Sequence, residues 1–350
     1  MPALAFSGMV IAFAIIAPPA EIEMSGDVLV EQPREATYRS AQSESCAERN
    51  SMTELAHRDA EKSTAAPTFV FVHGLTGNSF YWAPVVRELA LLGHRSLPVD
   101  LPGHGLDASI PLTYQAQDIA AFAASSSPMA AITVQDNVAH VIDVVQKVRR
   151  HGPVILVGHS LGGITIGLVG NAIPEAVDRL VYLSAFCPST ADAPSATALS
   201  QTPEALKNVP IPNADHSLFL GMEPVSRGLI RFNLRSPDPD ALEDFRLTNM
   251  PEAPLTQTLT VINYGMQPED GAQTNFADAR VDADTWGRVP HSYIVLTKDN
   301  VIPPALATKM IDDADRLTPD NPFDVHTLAA GHVGVILQAR ELAAILAGLA

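Results

Sequence analysis

The sequence predicts a doubly wound α/β protein built on a mainly parallel sheet, and three observations carry that expectation. From residue 67 onward, short apolar strands alternate with helical segments. Alternation of this kind requires crossover connections, which run neighbouring strands parallel and cover both faces of the sheet. One apolar run, Val154-Ile155-Leu156-Val157, breaks sharply at Gly158-His159-Ser160-Leu161-Gly162-Gly163 into a second apolar stretch of helical character. The alternation then stops between residues 187 and about 287 and resumes afterwards, the pattern expected of one core carrying an insertion.

The elements follow in order. Thr68-Phe69-Val70-Phe71-Val72 is a buried strand ending in the turn His73-Gly74-Leu75-Thr76-Gly77-Asn78, with a helix after it over 79–92. Residues 95–100 form the next strand, leading into Leu101-Pro102-Gly103-His104-Gly105. Val134, Val138, Val141, Ile142, Val145 and Val148 recur at helical spacing, predicting a helix over about 132–150. Residues 154–157 and 177–186 are strands on either side of the Gly-x-Ser-x-Gly turn and its helix. The insertion is rich in proline, with short helical patches at 203–207 and 239–245 and no strand of the buried type, so it reads as a helical cap. Lying after the strand that follows the turn, it is expected over the carboxyl ends of the strands, where α/β sheets bind ligands. Phe219, Phe232, Tyr264, Phe276 and Trp286 either line a pocket there or form the cap's own small core. Strands at 291–297 and 323–328, helices after each, and the loops Lys298-Asp299-Asn300 and Ala330-Gly331-His332 complete the core.

Composition narrows the function classes. Of 350 residues, 47% are hydrophobic and 17% charged, which marks a globular chain. A formal charge of -17 opposes binding to nucleic acid or to an anionic membrane surface. Cys46 and Cys187 sit in unrelated contexts and in no metal-ligand spacing, so neither a disulfide framework nor a metal site is expected. Residues 9–17 are apolar, but they are too short to span a bilayer, which takes about 20 apolar residues, and no Lys or Arg precedes Arg34. That lack of a basic flank favours a cytoplasmic protein; a working signal peptide there would make it secreted instead. Residues 21–66 are polar and aperiodic and read as a mobile tail, leaving 67–350 as the folded domain with its cap at about 187–287.

The chemistry lies at the strand ends. A strand that turns at once into a helix crowds the backbone, so glycines flank the turn and one side chain, Ser160, projects from its tip toward the free N–H groups of the helix. A serine hydroxyl is a weak nucleophile unless a base takes its proton and a carboxylate orients that base. Asp299 and His332 follow Ser160 in the order Ser, Asp, His, each on a loop just after a strand. Asp192, Asp215, Asp282 and Asp284 compete for the acid role; His291 and His326 compete for the base, although a histidine inside a strand is more simply a hydrogen-bonded core residue. Backbone N–H groups of Leu161, after the nucleophile, and of Leu75, in the first turn, are the expected donors to a developing oxyanion. His73, His159 and His104 read as supporting rather than reacting residues.

Taken together, Val72-His73-Gly74, Asp100-Leu101-Pro102-Gly103-His104-Gly105, Val157-Gly158-His159-Ser160-Leu161-Gly162-Gly163, the 180–186 strand and Tyr293 through Pro303 resemble the α/β-hydrolase superfamily. Within it they are most similar to the branch of plant methyl esterases, hydroxynitrile lyases and bacterial esterases. The resemblance covers residues 67–186 and 288–349. It implies a triad of Ser160, Asp299 and His332, oxyanion donors at Leu75 and Leu161, no cofactor, and a small-molecule ester as substrate. Oligomeric state and the identity of that ester are not implied, because the cap matches poorly. The related lyases carry threonine where this chain has Gly74 and lysine where it has Val333, so lyase chemistry is the second reading; amide, lactone and carbon–carbon bond hydrolysis remain open.

Because nothing before Thr68 has core periodicity, a chain beginning at Ala65 is expected to fold and to keep its esterase activity. Soluble yield and turnover of an activated short-chain ester check this, and insolubility would mean that the leading segment packs on the core.

Overall fold

The computed structural model describes residues 66–206, 217–221 and 228–350. The apolar run at 9–17, the tail up to residue 65, Cys46, Lys207 and Asp215 lie outside the described residues. In chain order the strands are β1 (Thr68–Val72), β2 (Arg95–Val99), β3 (Val154–Ser160), β4 (Arg179–Ala185), β5 (Phe219–Gly221), β6 (Leu229–Phe232), β7 (Glu269–Gly271), β8 (His291–Leu296) and β9 (Asp324–Leu328). Six of them form one sheet in the order β2-β1-β3-β4-β8-β9, every pair parallel. The longer helices are α1 (Ala83–Leu91), α2 (Val134–Val148), α3 (Gly162–Ala172), α4 (Pro239–Asn249), α5 (Leu255–Gly265), α6 (Pro304–Leu317) and α7 (Ala339–Ala347).

The central strands are apolar on both faces because helices cover both. Val70, Val72, Leu156 and Leu180 project toward α2, α3 and α6, while Phe69, Phe71, Ile155 and Val157 project toward α1 and α7. Burying each such side chain contributes about 1.5–3 kcal/mol, which holds the central strands rigid beneath the loops at their carboxyl ends. Helix ends follow local chemistry. α2 starts at Val134, later than its periodicity suggests, because Thr133 caps it: Thr133 Oγ1 accepts from Asp136 N while the Asp136 carboxylate accepts from Thr133 N. The segment 79–92 begins as a 3₁₀ turn over Ser79–Trp82, capped by the Asn78 side chain, before α1.

Three elements depart from the expected pattern. The insertion carries α4 and α5 but also a small antiparallel sheet, β5-β6-β7, whose middle strand is wholly buried. Its strands are three or four residues long, and Arg231 and Glu269 occupy buried positions as an ion pair at 3.0 Å, so no apolar run announces them. The patch at 203–207 is a turn as far as Leu206. β9 is a sheet edge with exposed residues, and His326, expected in the core, is half-buried there beside Asp324 at 3.2 Å.

Trp286 packs in the main core and not in the insertion's own cluster among the described residues. It is fully buried against the main sheet, stacked on His291 with ring centroids 4.0 Å apart, and its indole N–H donates to Tyr182 Oη at 2.9 Å. Trp286→Ala is therefore expected to cost about 3–5 kcal/mol of stability, the usual scale for emptying a large buried aromatic site. Chemical denaturation checks the loss; a well-folded variant with altered substrate preference would contradict it.

Candidate active site

Ser160 ends β3 at φ 55°, a left-handed conformation that side chains other than glycine rarely adopt. The chain accepts that strain because the next turn of backbone has nowhere else to go. A Cβ on Gly162 would stand 2.7 Å from the carbonyl oxygens of Val72 and His73, and one on Gly163 2.3 Å from that of Phe186. Thus β1, β3 and β4 converge on the start of α3, and Ser160 is held against the β1 loop: a Cβ on Gly74 would lie 2.6 Å from Ser160 Cβ. The backbone at Gly74, as it stands, admits no side chain.

The structure brings the three residues singled out in the sequence into one hydrogen-bonded line. His332 Nε2 lies 2.8 Å from Ser160 Oγ, and His332 Nδ1 lies 2.6 Å from Asp299 Oδ2. All three are buried. Asp299 is fixed by every oxygen it has: Oδ1 accepts from Val301 N at 2.7 Å and Ile302 N at 2.9 Å, and Oδ2 also accepts from Ser184 Oγ at 2.6 Å. Ser184 was not among the expected residues; a lone serine in the apolar β4 run was the only trace of it. The rival acids Asp192, Asp282 and Asp284 are exposed. His291 is buried at the amino end of β8 in the Trp286 stack and donates toward Val289 O, and His326 sits on the sheet edge, so neither joins the line.

Neighbouring histidines frame the site in neutral form. His73 is pushed down to about 3 by burial, with His104 beside it acting in the same direction. Its tautomer follows from its partners, Nδ1–H donating to Gly74 O at 2.9 Å and Nε2 accepting from Leu101 N at 3.1 Å. His159 is held well below the ordinary histidine value by burial and by His332; its Nε2–H donates to His332 O at 3.1 Å and its ring stacks on Tyr81. Tyr81 Oη donates to Val333 O, and Val333 N donates to Asn249 O, which pins the loop carrying His332 to α1's leading turn and to the insertion.

Above Ser160 and His332 lies a cleft of about 510 Å³, counting its open mouth. Leu75, Tyr81, Phe232, Phe245, Met266 and Val333 supply its apolar walls, and among the described residues no Lys, Arg, Asp or Glu lines it. Of the five aromatic residues considered in the sequence only Phe232 is in the wall; Phe219 packs behind it, while Tyr264 and Phe276 are exposed. Phe245, Met266 and Tyr81 were missed, since nothing in their local pattern distinguishes a pocket wall from a core face.

The profile of the alpha/beta hydrolase family matches residues 69–345. The chain belongs to that family. It is similar to Methylesterase 2 of Arabidopsis thaliana, with 27% identity over 243 residues, 67% of this chain and 79% of that protein. It is similar over a shorter stretch to the alpha-hydroxynitrile lyase of Arabidopsis thaliana, 32% identical over 127 residues, 36% of this chain and 43% of that one. Among solved structures, an extracellular alpha/beta-hydrolase from a Paenibacillus species, described as sharing homology with Tobacco Salicylic Acid Binding Protein 2, superposes with a TM-score of 0.57 at 22% identity, covering 80% of this chain and 97% of that one. That likeness speaks for the fold alone. Among the described residues, no helix is long and apolar enough to cross a membrane.

Proposed function

We propose that this α/β-hydrolase is a serine esterase that cleaves small, uncharged carboxylic esters through an acyl-enzyme, with the insertion at 187–287 as its cap. The observation that carries the reading is the line from Ser160 Oγ through His332 to Asp299 at the floor of a cleft whose described lining is apolar and uncharged. His332 Nε2 takes the Ser160 proton as Oγ attacks the ester carbonyl, and the N–H groups of Leu75 and Leu161 receive the oxyanion. Collapse expels the alcohol, which takes the proton back from His332. Water then enters and attacks the acyl carbonyl while giving a proton to the same nitrogen; collapse breaks the bond to Ser160 Oγ, which takes that proton from His332 as the acid leaves. Asp299 holds Nδ1–H throughout and balances the imidazolium.

The methylesterase relatives support ester cleavage over other acyl transfers. The lyase reading finds less support. Both residues that mark the related lyases are absent, and the tight contact between Gly74 and Ser160 leaves no room for a threonine there without moving the loop.

Ser160→Ala is expected to keep the fold and to lose at least about a thousandfold in turnover of an activated short-chain ester. Asp299→Asn is expected to lose about three to four powers of ten, since the neutral amide favours the wrong imidazole tautomer, while Asp192→Asn stays within about twofold, as exposed surface substitutions usually do. Steady-state kinetics on the folded variants check both, and full activity in Ser160→Ala would overturn the mechanism.

A further inference from the structure

Resting on that mechanism, we propose that Asp270, carried by the insertion and paired with His104, is a positioning residue that holds the Leu75–Thr76 amides in register with Ser160. Thr76 is a β-branched residue at φ 56°, a strained conformation that persists only where its surroundings impose it. What imposes it is a carboxylate from the insertion: Asp270 Oδ2 accepts from Thr76 N at 2.6 Å, the amide immediately after that of Leu75. Thr76 O in turn accepts from Gln267 N at 2.8 Å, and Gly77 bridges to Met266, so both sides of the loop are bound to one segment of the insertion. Asp270 is itself fixed, Oδ1 accepting from Gly271 N at 2.7 Å.

His104 supplies the counter-charge. Its Nδ1 lies 3.0 Å from Pro102 O, a contact that requires an N–H there. Its Nε2 lies 3.2 Å from Asp270 Oδ2, off the line of a good hydrogen bond, and a second nitrogen faces a carboxylate favourably only when it too carries a proton. The geometry therefore describes an imidazolium–carboxylate pair. Burial opposes the charge on His104, but attraction to Asp270 outweighs it and raises the pKa above the ordinary histidine value. The other ionisable groups nearby do not compete for it. His73, 4.6 Å away ring to ring, is neutral; Asp100 accepts from Ser79 N and Oγ; Glu269, next to Asp270 on β7, is paired with Arg231.

The sign of the effect follows. A raised pKa in the folded protein means that the clamp is complete at low pH and is lost as pH climbs through the His104 value, leaving a lone pair against Asp270. The clamp acts on a donor to the oxyanion, so its loss lowers kcat rather than raising KM.

The test is the pH dependence of kcat and KM for an activated short-chain ester with the wild type, Asp270→Asn, His104→Gln, the double variant and Ser160→Ala, all as the full chain with folding checked by circular dichroism. A single amide oxygen in place of a carboxylate cannot serve Thr76 N, Gly271 N and His104 together. Asp270→Asn is expected to lower kcat about tenfold to a hundredfold, the scale of a misplaced oxyanion donor, with KM within about threefold. The wild type is expected to lose kcat at alkaline pH, His104→Gln to abolish that fall, and the double variant to lose no more than the worse single one. Should Asp270→Asn fail to fold, His104→Gln alone decides through the alkaline limb. Folded variants with wild-type kcat and an unchanged alkaline limb, or losses that fall on KM alone, would overturn the clamp. Such a result beside an inactive Ser160→Ala would leave the esterase reading standing; an active Ser160→Ala would remove the esterase reading itself.

Discussion

Everything at the active centre depends on one steric constraint, the turn by which β3 becomes α3 with no residue to spare. Gly162 and Gly163 let that turn press against the carbonyls of β1 and of the residue after β4, so three adjacent strands are fixed relative to one another where their side chains matter. Ser160 is forced to a positive φ and outward. The same convergence brings Ser184, displaced by the register shift opposite Ser160, to within hydrogen-bonding distance of Asp299. A bulky residue at either of these glycines would strain the turn and move Ser160, its neighbouring loop and the contact with His332 together.

The insertion does more than close the cleft. Phe232, Phe245 and Met266 form its apolar walls, and the same segments hold the loops beneath. Asn249 O binds Val333 N and the Glu252 carboxylate binds Gly331 N at 2.9 Å on either side of His332, while Gln267 and Asp270 bind the loop of Leu75 and Thr76. Cleft walls and loop geometry thus depend on one piece of chain, and changes in it are expected to alter rate as well as selectivity.

The core and the three side chains that meet at its strand ends were legible because they obey local rules. Buried strands announce themselves as apolar runs, strand-end loops carry the chemistry, and the order Ser160, Asp299, His332 needed only those loops to be recognised. The supporting residues were not legible, because they are defined by contacts across the fold. Ser184 meets Asp299 from 115 residues away, and Asp270 meets Thr76 from 194. The small sheet of the insertion was hidden by the buried pair Arg231 and Glu269, whose charges break the apolar pattern that a strand in that position normally shows. Trp286 was misplaced for the converse reason: its neighbours in sequence belong to the insertion, its neighbours in space to the main sheet.

The central claim is that Ser160 is the nucleophile of an ester hydrolase, and covalent capture tests it most directly. Treating the full chain with a fluorophosphonate and mapping the adduct by peptide mass spectrometry is expected to place one label on Ser160, with esterase turnover falling in proportion to the labelled fraction. A label on another residue, or undiminished turnover in fully labelled protein, would contradict the account.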